Sequence, residues 1–501
     1  MTLLLALVPI LCIFLLLFVF KQTSLRTSVF SYIVTLIITL TVNSYQVNMH
    51  DIMQSSLKGA LISFIAAYVL FFGILLFHLM NNVGGIDAIA SFISKTTNDS
   101  VMQVIILVIG LSPLLESTSG FGIAFMVTAP ILIALGFSRL KAALIGLISL
   151  LAVPWGALAT GTVIGAEIGG VSLQKLGTGS AIISIPVFIY FLFTAVFLIN
   201  GWDAIKKKWK ELLLFSSLFS ISMLIFNIWI SVELAGVLSS LVTTGLGLLF
   251  IKISASKKMK SNITTSQTSS TYENTEMGII KIMSPYLILT IFIFLSRLIS
   301  PLKEFLNTHF VIHLPALSFS MALLYSPGFW LCITCLFTIY IFKIKKEIIW
   351  ESLKSTIKQW IPFTISTTAF VAISEVMSVA GMTDTIATAA GVLFGTSFIF
   401  ISPFIGGIGG FLTGSNTGSN AMFINLQVQT AHQVGLSKEL IANIQNVSSS
   451  HSTMACPSRV MLAANLCEIK SEENEILKRI TLIGLGAIVL IMITAVLVQK
   501  L

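Results

Sequence analysis

The sequence has few charged residues and few cysteines. Only 10% of its 501 residues are charged, whereas soluble domains carry about 25%, and 56% are hydrophobic, with a mean hydropathy of +0.98. The five cysteines lie mostly in apolar runs, and the pair Cys332 and Cys335 lacks the further ligands that a zinc site needs. No nucleotide-binding motif and no nucleophile–base arrangement is evident. The composition therefore argues against a soluble enzyme, and we predict no enzymatic activity, no metal site and no cofactor.

Long apolar runs recur along the whole chain. Leu3 to Phe20, Leu57 to Met80 and Ile480 to Val498 approach or exceed the ~20 residues that cross a bilayer. The first run lacks the basic start and the cleavage pattern of a signal peptide, so we expect a retained span. We predict an all-α integral membrane protein with about 12 transmembrane helices, at about 3–20, 28–42, 58–80, 140–166, 180–200, 212–230, 234–252, 279–299, 316–342, 360–380, 439–466 and 478–499.

The net charge of +9 comes from short basic clusters between the apolar runs. This distribution is typical of cytoplasmic loops rather than of a nucleic-acid-binding surface. The clusters expected on the cytoplasmic side are Lys21 to Arg26, Lys206 to Lys210, Lys252 to Lys260 and Lys343 to Lys358. A flexible loop at 254–277, rich in Ser, Thr and Asn, would then separate a first transmembrane half, 1–253, from a second, 278–501.

The two halves share a motif pattern at an offset of about 297 residues. Met80 to Ala90 matches Met377 to Ala387, Leu115 to Gly120 matches Leu412 to Gly418, and Gly136 to Arg139 matches Gly435 to Lys438. The charge rule gives the two copies opposite directions, so we predict two inverted-topology repeats, as in many secondary transporters. The segments 97–137 and 395–436 mix short apolar pieces with Gly, Ser, Thr and Asn, which predicts two re-entrant hairpins that line the transport pathway.

The first hairpin turn contains a carboxylate among small polar residues. An acid inside the membrane favours a role in ion or proton movement, and Glu116 is the predicted proton-coupling group. The substrate-binding candidates beside it are Ser117, Thr118, Ser119, Gly120 and Gly122, whose hydroxyls and backbone amides could hold a carboxylate. Close helix packing by small residues is the alternative for these positions, and an aqueous tip or a structural ion pair is the alternative for Glu116.

The second turn is uncharged. We predict substrate contacts from Ser415, Asn416, Thr417, Gly418, Ser419 and Asn420, with helix capping as the alternative. Arg459 follows the helix-breaking Pro457 and could balance the charge of a bound anion, unless it reaches to the membrane surface. His432 is a second proton-coupling candidate or a structural residue, and His78 and Glu375 are weaker candidates at equivalent repeat positions.

These residues resemble the lactate permease family of bacterial proton-coupled lactate and glycolate carriers. The similarity includes Leu115-Glu116 with Gly120-Phe121-Gly122, the segment Leu412 to Asn420, and Cys456-Pro457-Ser458-Arg459. It implies proton-coupled symport of L-lactate, D-lactate or glycolate across a bacterial plasma membrane, with a small anion, a proton and the lipid bilayer as partners and no nucleic acid. The residues leave open a carrier of another anion, such as a dicarboxylate or a sugar acid, a passive channel, and a membrane-embedded enzyme or sensor.

Overall fold

The computed structural model describes residues 2–86, 99–120, 122–261 and 273–500, with the single residues 88, 92 and 97. Several positions used above lie outside the described residues. They are Asp87, Ile89 and Ala90 of the first repeat motif, Phe121, and the middle of the predicted loop, residues 262–272.

The described chain is mostly α-helical. Its first half contains α1 (Thr2–Phe14), α2 (Ser24–Thr41), α3 (Met49–Asn82), α4 (Ser100–Ile106), α5 (Ser112–Ser119), α6 (Ile123–Ala134), α7 (Arg139–Ile148), α8 (Gly156–Gly169), α9 (Leu173–Trp229) and α10 (Val232–Ser261). The second half contains α11 (Glu273–Leu298), α12 (Ser300–Thr308), β1 (Val311–Leu314), β2 (Phe319–Ala322), α13 (Pro327–Ile341), α14 (Lys346–Val379), α15 (Met382–Phe394), α16 (Phe398–Thr413), α17 (Asn416–Gln433), α18 (Lys438–Ser452), α19 (Pro457–Leu466) and α20 (Glu473–Gln499).

Nine helices among the described residues are long and apolar enough to cross a membrane, or ten if the bent pair α7 and α8 forms one span. A multi-pass membrane protein is therefore confirmed, while the exact number of 12 spans stays a prediction. The expected spans 180–200 and 212–230 both fall in the 57-residue helix α9, whose backbone leaves helical geometry at Asn200, Gly201 and Lys208.

The expected span 316–342 begins too early. Residues Val311–Leu314 and Phe319–Ala322 form a two-stranded antiparallel sheet, and the helix begins only at Pro327. Hydropathy alone cannot distinguish this apolar hairpin from the start of a span, although Pro315 and Ser318 mark the turn between the strands. Among the described residues, the small sheet is the exception to the all-α prediction.

The most extensive packing contact between the two halves is the one between α3 and α14. Both helices have 34 residues, and they begin 297 residues apart. Gly59 near the start of α3 packs directly on Ala372 near the end of α14, while Asn82 at the end of α3 donates a hydrogen bond to Ser352 near the start of α14. The two helices therefore run antiparallel.

Both glycine-rich segments form two helical arms joined by a tight turn. In the first, α4 continues through a π turn at Leu107–Leu111 into α5, and α6 returns after Gly122. In the second, α16 ends at Thr413 and α17 returns from Asn416. Beside each hairpin lies a broken helix, α7 with α8 in the first half and α18 with α19 in the second, so that two turns and two helix breaks meet in the interior.

Candidate functional site

The first hairpin tip is built on two glycines in left-handed regions of φ. Gly120 has φ +67° and Gly122 has φ +74°, conformations that residues with a side chain rarely adopt. They turn the chain so that the backbone N–H groups of Gly122 and Ala124, at the N-terminus of α6, lie close to the Glu116 carboxylate. The tip therefore presents an acid at the positive end of a helix.

The Glu116 side chain is only 2% exposed, and its Oε2 has no hydrogen-bond partner among the described residues. A Cβ on Gly156 would lie 3.3 Å from Oε1, so the break before α8 packs directly against the carboxylate. No ion pair within 4.0 Å joins Glu116 to a basic side chain in the described part of the chain, but the charge of Arg459 acts on it. An acid in such surroundings is costly to keep ionised.

The second hairpin tip contains no charge and is held by hydroxyl groups. Gly414 has φ +62°, and the Ser415 Oγ caps α17 by accepting from the backbone N–H of Gly418 at 3.1 Å. The Thr413 Oγ1 accepts from the backbone N–H of Ser415 at 3.2 Å. These bonds fix the turn and leave the first residues of α17 facing inward.

Arg459 lies between the two tips. A Cβ on Gly122 would lie 3.4 Å from its Cζ, and a Cβ on Gly414 would lie 3.8 Å from its Nε. Its Nη1 donates to the Thr453 Oγ1 at 3.1 Å, which holds the guanidinium across the break between α18 and α19. A Cβ at either position would be in ordinary contact with the guanidinium, so it is the positive φ of Gly122 and Gly414 that favours glycine there.

These groups line one cavity of about 600 Å³. The walls include Glu116 and Gly120 of the first tip, residues Ser415 to Gly418 of the second tip, and Arg459. The cavity also reaches Thr23 and Gln359, which adjoin the basic clusters expected on the cytoplasmic side. An arginine, a buried carboxyl group and two sets of helix N-terminal amides around one cavity can bind a small anion and exchange a proton beside it.

The remaining predicted residues do not line this cavity. Ser117 packs on Gly236 of α10, the Thr118 Oγ1 donates to the carbonyl of Leu114 at 2.9 Å, and the Ser119 Oγ is buried without a partner among the described residues. His432 is exposed near the C-terminus of α17.

Ser419 and Asn420 lie behind the second tip instead of at it. Both accept hydrogen bonds from the Gln445 amide of α18, at 3.1 Å to the Ser419 Oγ and 3.3 Å to the Asn420 Oδ1. The Asn446 amide of α18 bonds to Asn416 and Asn420 as well. Sequence reasoning missed this amide network, although the polar composition of the buried helix Lys438–Ser452 is a signal that could have revealed it.

Sequence reasoning also missed the shape of the break before α8. Ala157, Leu158 and Ala159 have φ values of +37°, +54° and +64°, so three successive non-glycine residues adopt left-handed conformations. A Cβ on Gly120 would lie 2.8 Å from the Cβ of Ala157, which shows how closely this turn fits the first tip. Such a strained stretch persists only where the surrounding packing enforces it.

Comparison with solved structures finds the same fold in another transporter. The crystal structure of the YdaH transporter from Alcanivorax borkumensis, which has an unusual topology, superposes with a TM-score of 0.53. The match covers 95% of this chain and 98% of that chain at 10% sequence identity. This similarity concerns the fold alone.

Curated relatives are more similar in sequence. An L-lactate permease of Streptococcus iniae is 27% identical over 444 residues, which is 86% of this chain and 91% of that protein. A glycolate permease of Escherichia coli (strain K12) is 27% identical over 459 residues, covering 82% of this chain and 80% of the relative. A model of the L-lactate permease family matches residues 2–501. The chain therefore belongs to the L-lactate permease family.

Proposed function

We propose that the protein is a secondary active transporter that carries L-lactate, or the related D-lactate or glycolate, together with a proton across the bacterial plasma membrane. The main support for this proposal is that Glu116, Arg459 and both hairpin tips line the same cavity. The L-lactate and glycolate permeases among its relatives support the choice of cargo.

The carboxylate of the substrate would bind at Arg459. This guanidinium already lies against both tips, and the N-terminus of α17 adds backbone amides with partial positive charge. A guanidinium can donate two parallel hydrogen bonds to a carboxylate. The anion would therefore find donors from α19 and α17 without a second basic side chain.

Competition for Arg459 would couple the proton to the anion. An ionised Glu116 and a bound carboxylate are two negative charges near one guanidinium, and they repel each other in a site of low polarity. Protonation of Glu116 removes one of them and favours anion binding. By linkage, the bound anion favours protonation to the same extent, so proton and anion would move together.

Alternating access fits the arrangement of the helices. The antiparallel pair α3 and α14 supports the inverted repeat, which secondary transporters use to open one site to either side in turn. Because the cavity reaches Thr23 and Gln359 beside basic clusters, we assign this conformation to the inward-open state.

Uptake by purified protein in lipid vesicles tests the proposal. Labelled L-lactate should accumulate above its external concentration when the vesicle interior is made alkaline, and it should only equilibrate without the gradient. Accumulation that needs a sodium gradient instead would refute proton coupling. Equilibration that no gradient can drive would indicate a channel, and strong competition by dicarboxylates or sugar acids but not by lactate would indicate another cargo.

A further inference from the structure

The Asn420 amide has an orientation that a backbone carbonyl determines. Its Nδ2 donates to the carbonyl oxygen of Gly161 at 3.0 Å, and that oxygen can only accept. Its Oδ1 accepts from the Gln445 Nε2 at 3.3 Å. The same Nδ2 lies 2.9 Å from the Asn446 Oδ1, so the oxygen of Asn446 must face it.

A second carbonyl fixes Asn446 independently. The Thr162 Oγ1 donates its proton to the carbonyl of Pro154 at 2.5 Å, which leaves that hydroxyl able to accept the hydrogen bond at 3.0 Å from the Asn446 Nδ2. The other proton of Nδ2 goes to the Ser180 Oγ at 2.9 Å. Asn446 therefore directs its nitrogen to α8 and α9 and its oxygen to α17.

This arrangement determines how Asn416 is turned. The Asn416 Nδ2 donates to the Asn446 Oδ1 at 2.9 Å, and a flipped amide would place two oxygens in contact. The Asn416 Oδ1 is buried and has no hydrogen-bond partner among the described residues. The residue as a whole is 5% exposed, and it is one of those that line the cavity. A buried acceptor at a binding cavity that lacks a donor is unfavourable until a ligand supplies one.

We propose that Asn416 selects substrates with a hydroxyl on carbon 2, because its Oδ1 accepts the proton of that hydroxyl while Arg459 holds the carboxylate. The assignment rests on the proposed function and adds the residue that distinguishes among small monocarboxylates. Asn446 is the positioning residue, since its oxygen holds the Asn416 amide with the acceptor directed away from the network.

The direction of the hydrogen bond makes the inference specific. Lactate offers a donor on carbon 2. Propionate offers no polar group there, and pyruvate offers only an acceptor, which would oppose the Asn416 oxygen. Both analogues leave the Oδ1 without a partner, so both should bind about tenfold more weakly than lactate, the factor expected for one hydrogen bond of this kind.

The test measures competition for labelled lactate counterflow in vesicles that contain the full-length protein. In the wild type, propionate and pyruvate should each need about tenfold higher concentrations than unlabelled lactate for half-inhibition. In Asn416→Ala the three acids should become nearly equal, because lactate loses affinity while the two analogues do not. Asn446→Ala should shift the ratio in the same direction, because the Asn416 amide is then free to turn.

Asn443→Ala is the matched control. Asn443 lies on the same helix as Asn446, is 6% exposed and also has an unpartnered Oδ1, but it packs on Gly179 and does not line the cavity. Its substitution should leave the ratio unchanged. An equal loss of discrimination in Asn443→Ala would show a general packing effect and overturn the assignment.

The outcomes separate this inference from the proposed function. Pyruvate that competes as well as lactate in the wild type, or an unchanged ratio in Asn416→Ala, would refute the role of Asn416 while lactate transport stands. Absence of counterflow with all three acids in the wild type would refute the proposed cargo itself. If the variants do not accumulate in the membrane, the wild-type comparison of lactate with pyruvate still decides the direction of the hydrogen bond.

Discussion

Replacing Glu116 by glutamine should separate transport from proton coupling. Glutamine keeps the size of the side chain and mimics the protonated acid, so the site should still bind the anion. In the proposed mechanism, an ionised Glu116 of the wild type repels an anion held by Arg459. The substitution should therefore make lactate binding independent of pH and abolish accumulation driven by a pH gradient.

The expected change in the KM for lactate can be estimated from the distance between the two negative charges. Glu116 and Arg459 line one cavity without an ion pair shorter than 4.0 Å in the described part of the chain, which places a carboxylate on Arg459 in the same neighbourhood as Glu116. Two charges at roughly 4 to 8 Å repel by about 2 to 4 kcal/mol at an effective dielectric constant of ~20. The KM of the wild type for lactate should then rise about 30-fold or more as Glu116 loses its proton.

Counterflow in vesicles measures KM without a gradient, so it reports binding after coupling is lost. The KM of Glu116→Gln should stay near the acidic value of the wild type over the whole pH range. Glu167→Gln is the control, because Glu167 is an exposed acid of the neighbouring helix α8 outside the cavity. Gradient-driven accumulation by Glu116→Gln, or a KM that still rises with pH, would refute the coupling role of Glu116.

Substitutions of Arg459, Gly120 and His432 test the geometry of the site further. Arg459→Ala should raise the KM for lactate counterflow by about tenfold or more through loss of charge-assisted hydrogen bonds, and Arg459→Lys should restore part of it. Gly120→Ala should lower the melting temperature in detergent, because its Cβ would lie 2.8 Å from that of Ala157 at φ +67°. Gly136→Ala is the matched control, because its Cβ at φ +88° would meet no described residue within 4 Å and should cost only about 1 to 2 kcal/mol. His432→Ala should leave gradient-driven lactate accumulation unchanged, since the structure places this side chain at an exposed helix end; lost coupling would contradict that.

The tips themselves could be anticipated because tight turns impose strict residue requirements. Gly120, Gly122 and Gly414 all have positive φ, so a Gly-rich cluster between apolar runs marks the turns. Arg459 could also be anticipated, because a cation just after Pro457 stands at a helix break where carbonyls and side chains turn inward.

Which polar residues face the cavity could not be read from their proximity in the sequence. Glu116 and Gly120 are four residues apart and lie on one face of the α5 terminus, whereas Ser117 to Ser119 rotate away from it by about 100° per residue. Asn416 and Asn420 lie one turn apart on the same face of α17, yet Asn416 lines the cavity whereas Asn420 donates to the carbonyl of Gly161. Choosing between these faces requires the positions of α8, α10 and α18, which belong to distant parts of the chain.

The candidate site combines unequal contributions from the two halves. The acid Glu116 comes from the first hairpin, the cation Arg459 comes from the broken helix of the second half, and the uncharged acceptor Asn416 comes from the second hairpin. The acid and the cation that line this cavity come from different halves, so the proposed proton-linked change in anion affinity would require both halves to be docked. In the proposed mechanism, the two halves keep the equal lengths of α3 and α14 but differ in charge, so we expect proton exchange at the first tip and substrate selection at the second.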